Sequence, residues 1–205
     1  MADDKKDKKS KNKNIHTSYV GTFKADSFKV DDKGVASATF VTAGPDGATS
    51  EKAVKGYNDN AKTLEDAVNA GGEQIIRGTL LGGGKNPHMG IYATGPEQIV
   101  GVATKVRHNF DSYEKDGKQP YVNAWVGVER GDTKIFRAVA AFGDDALALK
   151  GIEEGAKIDV PGRATHEKRE VKGEEKWVEM YRVAGAGKFE PAAEKSKDAE
   201  ETPAP

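Results

Sequence analysis

The 205-residue sequence has no cysteine and no long apolar run. Without cysteine the chain can form neither disulfide bonds nor thiolate metal sites, a composition compatible with a reducing compartment. A membrane-spanning helix needs roughly 20 consecutive apolar residues. The first six residues, Met-Ala-Asp-Asp-Lys-Lys, are not followed by the apolar core of a secretory signal. These absences predict a cytoplasmic protein without a membrane partner.

Aromatic residues and net charge are also scarce. Phenylalanine, tryptophan and tyrosine together make up 7% of the chain, and the formal net charge is −1 although 32% of the residues are charged. A balance so near zero neither favours nor excludes a polyanionic partner. The placement of lysine and arginine therefore matters more than their number.

Catalytic and metal-binding patterns are missing from the sequence as well. The four histidines, His16, His88, His108 and His166, are scattered without acidic partners at metal-ligand spacing. The "GGGK" stretch at 82–85 lacks the spacing and the following Ser or Thr of a phosphate-binding loop, and there is no nucleophile elbow. We therefore predict a protein that is not an enzyme and has no catalytic residues, metal or cofactor.

The two ends of the chain lack apolar periodicity. Residues 1–14 hold six lysines and three aspartates with no apolar residue after Ala2, and residues 187–205 are rich in Ala, Pro and Glu. Such segments cannot bury enough apolar surface to fold, so both are predicted to be disordered tails. The remainder is predicted to form two units, 15–96 and 97–186.

An internal repeat supports this division into two units. Residues 53–80 read "AVKGYNDNAKTLEDAVNAGGEQIIRGTL" and residues 138–164 read "AVAAFGDDALALKGIEEGAKIDVPGRA". Each copy begins Ala-Val, has an aromatic residue four positions in (Tyr57 or Phe142), and ends in an apolar strand with a glycine. A repeat of this kind indicates two copies of one supersecondary unit.

The second copy divides into three alternating segments, a short helical segment and two further strands. The alternating segments are "QIVGVATKV", "YVNAWVGVER" and "KIFRAVAAF". "DDALALKGIEEG" is typical of a short helix, and "AKIDVPGRAT" and "WVEMYRVAG" complete the unit. The first segment predicts an inner face of Val100, Val102, Thr104 and Val106. The first copy repeats this order, so the sequence predicts an all-β chain with short helices: two tandem OB-fold five-stranded Greek-key barrels.

An OB barrel binds oligonucleotides or oligosaccharides across its second and third strands. Sequence-tolerant binding of a single strand needs aromatic faces on which bases stack and cations beside the phosphates. The aromatic candidates are Trp125, Phe136, Phe142, Trp177 and Tyr181 in the second copy, and Phe40 and Tyr57 in the first. The basic candidates on or beside the same sheet are Lys105, Arg107, Lys134, Arg137, Arg163, Lys168 and Arg169.

Other roles are open for several of these residues. Phe142 and Tyr57 lie next to the helix and are equally suited to core packing. Trp177 could close the barrel instead of facing a ligand. The mixture of Lys and Glu at 166–176 is equally typical of a solvated hairpin.

The stretch "FRAVAAFGDDALALKGIEEGAKIDVPGRAT", followed by a charged hairpin and "WVEMYRVAG", resembles the bacterial single-stranded-DNA-binding protein family. The resemblance covers residues 97–187 directly and 17–95 through the repeat. It implies an OB-fold that coats and protects single-stranded DNA without catalysis, in replication, recombination or repair. It matches Phe136 and Phe142 to two stacking aromatics of the family and places Arg169 at a third such position.

The resemblance also implies partners. Some members of the family carry tandem barrels and assemble from two chains, so a homodimer with four barrels is expected by analogy. Family members end in an acidic run with an aromatic tip that recruits replication or repair proteins, whereas this chain ends Glu-Glu-Thr-Pro-Ala-Pro. The residues leave an alternative open, a non-catalytic OB-fold module that binds protein or RNA.

The two copies differ at the predicted binding face. Phe40 aligns with Trp125, and Tyr57 aligns with Phe142, but Phe136 falls opposite a glutamate, Glu51. We therefore expect the second barrel to contribute most of the binding energy. The first barrel would extend the site or form an interface.

Overall fold

The computed structural model describes residues 15–44, 47–82, 86–171 and 173–192, with the backbone alone for residues 167–171. The tail expected at 1–14 lies outside these residues, as does the part beyond 192 of the tail expected at 187–205. The chain forms two compact units that divide between Thr94 and Gly95. The boundary expected from the sequence, between 96 and 97, lies two residues further along the chain.

The first unit contains six strands and one helix. In chain order these are β1 (Ile15–Phe23), β2 (Lys29–Val30), β3 (Ala36–Ala43), β4 (Thr49–Gly56), α1 (Asn60–Ala70), β5 (Gln74–Leu81) and β6 (His88–Thr94). β1 pairs with β3 and β5, β3 with β4, and β5 with β6, all antiparallel, while β4 and β6 pair in parallel. The strands close in the order β1–β3–β4–β6–β5, with α1 between β4 and β5. This is the topology of an OB barrel.

The second unit has the same order of paired strands. Its elements are β7 (Glu97–His108), α2 (Tyr113–Asp116), β8 (Tyr121–Arg130), β9 (Thr133–Phe142), α3 (Asp144–Leu147), β10 (Lys157–Val171), β11 (Glu174–Val183) and β12 (Lys188–Glu190). β7 pairs with β8 and β10, β8 with β9, and β10 with β11, while β9 and β11 pair in parallel. The predicted fold class, two tandem OB-fold barrels, is confirmed.

Period-two alternation decides which side chains fill each barrel. On β8 the residues Val122, Ala124 and Val126 are buried, as the sequence predicts, and the intervening Trp125 is exposed. On β3 the buried residues are Ala36, Ala38 and Phe40. Each set packs with the strands opposite it into one apolar cluster per barrel.

Two glycines allow the first strand of each barrel to cross close to its neighbour. A Cβ atom at Gly21 would collide with the carbonyl oxygen of Val41, and one at Gly101 would collide with that of Gly127. Neither glycine has a positive φ, so the close backbone approach is what excludes a side chain. A glycine at each of these two positions is therefore a packing requirement of barrel closure.

The inner face predicted for β7 is confirmed at Val106 but wrong at Val100 and Thr104. Ile99 and Ala103 are buried, whereas Val100 is 57% exposed. The register of β7 against β8 shifts between Ala103 and Lys105, so Thr104 is an extra residue in the ladder. Such a bulge breaks the period of two. It leaves Ala103 and Val106, three positions apart, both on the inner side.

The end of the second unit also differs from the prediction. Residues 188–190, assigned from sequence to the C-terminal tail, form β12 and pair with residues 157–159 of β10. Phe189 packs against the barrel core, which explains why this short segment is ordered into a strand.

No helix among the described residues is long and apolar enough to cross a membrane.

Candidate nucleic-acid interface

The outward side of β8 and β9 carries two exposed rings. Trp125 is 47% exposed and Phe136 is 56% exposed. Trp125 pairs with Ala138 and Phe136 pairs with Gly127, so both rings share the side opposite the barrel core. Contiguous exposed apolar surface, unlike a single exposed side chain, is a feature of interaction sites. The predictions that Trp125 and Phe136 face outward are confirmed.

A pocket of about 180 Å³ lies between these rings, lined by Thr104, Lys105, Trp125 and Phe136. The bulge on β7 places Thr104 here, and its hydroxyl donates a hydrogen bond to the backbone carbonyl of Trp125 over 3.1 Å. Because this bond ties β7 to β8, it fixes the wall of the pocket next to the indole. We call Trp125, Phe136, Thr104 and Lys105, with Lys134 beside them, the aromatic face.

Lysine and arginine side chains border the aromatic face. Lys105 pairs with Trp125 across β7 and β8, and Arg107 pairs with Asn123 two residues along. Lys134 places its ammonium group 6.0 Å from the centre of the Phe136 ring. Lys105, Arg107 and Lys134 are exposed, and among the described residues they form no ion pair with a carboxylate. Their positive charge is therefore available to an anionic ligand.

A glycine shapes the aromatic face. Gly127 pairs with Phe136, and a Cβ atom at this position would collide with the Lys134 side chain and lie 3.4 Å from the Phe136 ring. The missing side chain thus lets Lys134 and Phe136 lie over the strand. Gly127 is a functional candidate that the sequence analysis missed, although an isolated glycine inside a strand pattern indicates a close approach of this kind.

Phe142 lies at the far end of the same side of β9. It is partly buried, pairs with Tyr121, and has the Arg182 guanidinium 4.8 Å from its ring centre. Arg182 in turn pairs with Arg163 across β11 and β10. Arg182 is a second residue that the sequence analysis missed, although its alternation with the apolar Tyr181 and Val183 indicates an outward position.

The predicted binding roles of Tyr181 and Arg137 are wrong. Tyr181 is 4% exposed and belongs to the barrel core, with its hydroxyl donating to Glu179 over 2.9 Å. Arg137 pairs with the buried Val126, on the inner side of β9, and its guanidinium lies 4.3 Å from the Tyr181 ring centre. It forms ion pairs with Glu97 and Glu179 at 3.2 and 3.9 Å. Arg137 therefore ties three strands together at one end of the barrel.

The β10–β11 hairpin carries the remaining candidates of the second barrel. Trp177 is 66% exposed, so it does not close the barrel. It pairs with Lys168 and shares the alternation of Tyr181, which places it away from the aromatic face. The backbones of Lys168 and Arg169 lie in β10, but their side chains are outside the described residues, so their binding roles stay predictions.

The first barrel does not reproduce the aromatic face. Phe40 is fully buried in the core, so its predicted binding role is wrong. The pairs Ala36–Gly56 and Val122–Ala141 occupy equivalent places, each one residue before the aromatic at the end of β4 or β9. Counting from these pairs, Thr39 stands where the second barrel has Trp125. By the same count Glu51 stands where the second barrel has Phe136.

Residues at and near this position of the first barrel have partners within that barrel. Glu51 forms an ion pair with Lys24 at 2.8 Å, and the backbone amide of Thr39 donates to Ser27. Tyr57 is partly buried, with its hydroxyl 2.8 Å from Nε2 of His88. Tyr57 therefore has a structural partner inside its own barrel.

The aromatic face can bind planar, anionic ligands. Exposed rings offer stacking surfaces, and lysines offer mobile cations. Among the described residues there is no group of three or more His, Asp or Glu side chains placed to hold a metal ion. The site is therefore suited to binding by stacking and charge.

Comparison with known proteins gives matches in structure alone. No protein-family model and no curated protein matches the chain. The chain is similar to the wild-type single-stranded DNA binding protein from Thermus aquaticus, at 13% identity and a TM-score of 0.37, with 92% of this chain and 98% of that chain covered. A deletion mutant of that protein gives 15% identity and a TM-score of 0.36, with 90% and 97% covered. Likeness at this level gives no information about ligands. The function must therefore be inferred from the side chains of the aromatic face.

Proposed function

We propose that the protein binds single-stranded DNA without sequence preference, through the second barrel. Bases stack on Trp125 and Phe136, and Lys105, Arg107 and Lys134 contact the phosphates. Its role is to coat and protect exposed DNA strands in the cytoplasm during replication, recombination or repair. The protein has no catalytic step in this role.

One observation carries the proposal: two exposed rings and a cation line one pocket on the outward side of β8 and β9. Stacking on an aromatic ring is worth about 1–3 kcal/mol per base and tolerates any base, because every base has a flat face. A duplex offers no such faces, since its bases are already stacked. The geometry therefore favours single strands over double strands.

A fluorescence titration tests the proposal directly. Trp125 and Trp177 are the two tryptophans of the chain, so the W177F variant leaves Trp125 as the single indole reporter. We expect oligo-dT to quench this fluorescence, and a W125F variant that retains Trp177 to show much weaker quenching. Affinity should fall as salt rises, because phosphate binding releases counterions. Absence of quenching at low salt would refute the proposal.

The same titration decides between the related ligands. An oligo-U of equal length tests RNA, and a hairpin duplex of equal charge tests duplex DNA. Binding through charge alone would give equal affinity for duplex and single strand, whereas stacking gives a clear preference for the single strand. Tighter binding of oligo-U than of oligo-dT would favour the RNA-binding alternative.

A further inference from the structure

A second cluster of cationic side chains lies on the second barrel, apart from the aromatic face. Arg163 on β10 and Arg182 on β11 are directly paired across antiparallel strands. The neighbours of Arg163 in sequence, Gly162 and Ala164, are buried in the barrel, so Arg163 is on the outward side with Arg182. Directly opposed residues have Cβ atoms about 5 Å apart, and like charges at that spacing destabilise a sheet.

Burial makes this arrangement more costly. Both arginines are partly buried. Desolvation lowers the pKa of Arg163 below its usual value, and the neighbouring charge of Arg182 lowers it further. None of the ion pairs among the described side chains involves Arg163. An anion bound at Arg163 would offset the neighbouring positive charge.

Phe142 connects the arginine pair to the aromatic face. The Arg182 guanidinium lies 4.8 Å from the Phe142 ring centre, within the distance of a cation–π contact. Phe142 is six residues from Phe136 on β9, which corresponds to about 20 Å along an extended strand. A strand of the roughly 4–16 nucleotides that one OB barrel covers is long enough to reach both positions.

We infer that Arg163 and Arg182 form a phosphate subsite that holds the backbone of the bound strand at the Phe142 end of β9, about 20 Å along the strand from Phe136. This inference depends on the proposed function and adds a second anchor to it. A planar guanidinium matches the oxygens of a phosphodiester in a bidentate manner, and two of them can clamp one phosphate. The subsite fixes the direction of the strand across the barrel but reads no base.

Three variants of the full-length chain test the subsite. In R163Q, we expect affinity for a 16-mer of oligo-dT to fall about tenfold at low salt, with the slope of log affinity against log salt smaller by about 1. R163K keeps the charge and should retain the wild-type slope with a modest loss of affinity. K150Q removes an exposed lysine in the segment after α3 and should leave affinity unchanged.

Stability without DNA separates a ligand-binding role from a structural one. If the arginine pair serves an anion, R163Q removes a repulsion and should melt at the wild-type temperature or above it. If Arg163 holds the barrel together, R163Q should melt lower, and R163K should restore it. The second pattern would overturn the inference.

The outcomes also separate this inference from the proposed function. If oligo-dT does not quench the tryptophan fluorescence of the wild-type protein, both the proposed function and the phosphate subsite are refuted. Normal quenching, together with R163Q binding at the wild-type affinity and salt slope, would leave the proposed function intact and refute the phosphate subsite. We expect normal quenching at Trp125 in R163Q, with weaker affinity and a shallower salt slope.

Discussion

At the scale of single residues, exposure separates side chains that look alike in the sequence. Trp125 and Phe40 both follow a small residue in an alternating strand, yet one is 47% exposed and the other fully buried. A buried ring contributes to stability through its contacts. An exposed ring on a sheet adds little to stability, so its substitution should mainly affect ligand binding. The two positions therefore predict opposite results on substitution.

Replacing the exposed rings should weaken binding without unfolding the protein. We expect W125A and F136A each to lose about 1–3 kcal/mol of affinity for oligo-dT, because each removes one stacking surface. Anisotropy of a labelled oligonucleotide measures the loss. The matched control is T39A, at the equivalent place in the first barrel. A comparable loss in T39A would contradict the assignment of binding to the second barrel.

Replacing the buried ring should have the reverse effect. F40A opens a cavity in the core of the first barrel, where Phe40 contacts Phe23 edge-on with ring centres 4.8 Å apart. We expect the free energy of unfolding of that barrel to fall by about 3–5 kcal/mol. Urea denaturation followed by circular dichroism measures this change. A stable F40A with impaired binding would restore the original prediction for Phe40.

At the scale of strands, glycines and a bulge decide where side chains can lie. Gly127 leaves room for Lys134 and Phe136, and the first barrel has Val41 at the equivalent place. The bulge at Thr104 turns Lys105 toward Trp125. The aromatic face thus depends on backbone features as much as on its rings.

Substitution of Gly127 tests this dependence. In G127V the added side chain displaces the flexible end of Lys134, which can move without disturbing the sheet. We expect the melting temperature to stay near that of the wild type, and affinity for oligo-dT to fall about tenfold as the Phe136 ring loses its position. Loss of the fold in G127V would show that the glycine is needed for barrel closure instead.

The strands and their order could be predicted from sequence because alternation and the internal repeat both reflect burial. The side of β3 on which Phe40 lies could not be predicted in this way. From Ala36 to Gly56 the first copy has one residue more than the second has from Val122 to Ala141, and a shift of one residue exchanges the two sides of a strand. The inner side of β7 was missed for the same reason, since the Thr104 bulge leaves no mark in the pattern.

At the scale of the whole molecule, two barrels of one topology differ in what they present. The second presents Trp125 and Phe136, and the first presents Thr39 and Glu51 at the same places. Duplicated barrels therefore need not double the binding capacity. The expected homodimer stays a prediction, which sedimentation at several protein concentrations would test.

The binding stoichiometry follows from this difference. We expect each chain to cover a length of oligo-dT that suits one barrel, about 4–16 nucleotides, rather than two such lengths. Titration with oligo-dT of increasing length, monitored by Trp125 fluorescence, measures the covered length per chain. If a W125A/F136A double variant still binds half as many nucleotides as the wild type, the first barrel is also a binding site.

The two-residue turn at Gly131 and Asp132 between β8 and β9 has a kinetic consequence. So short a connection cannot fold over the aromatic face, so this turn is not a flap that has to open before a strand departs. The lifetime of the complex should be limited by peeling of bases one after another, and a competing protein could displace the chain from a free end. Such a coat would protect DNA and still yield it promptly.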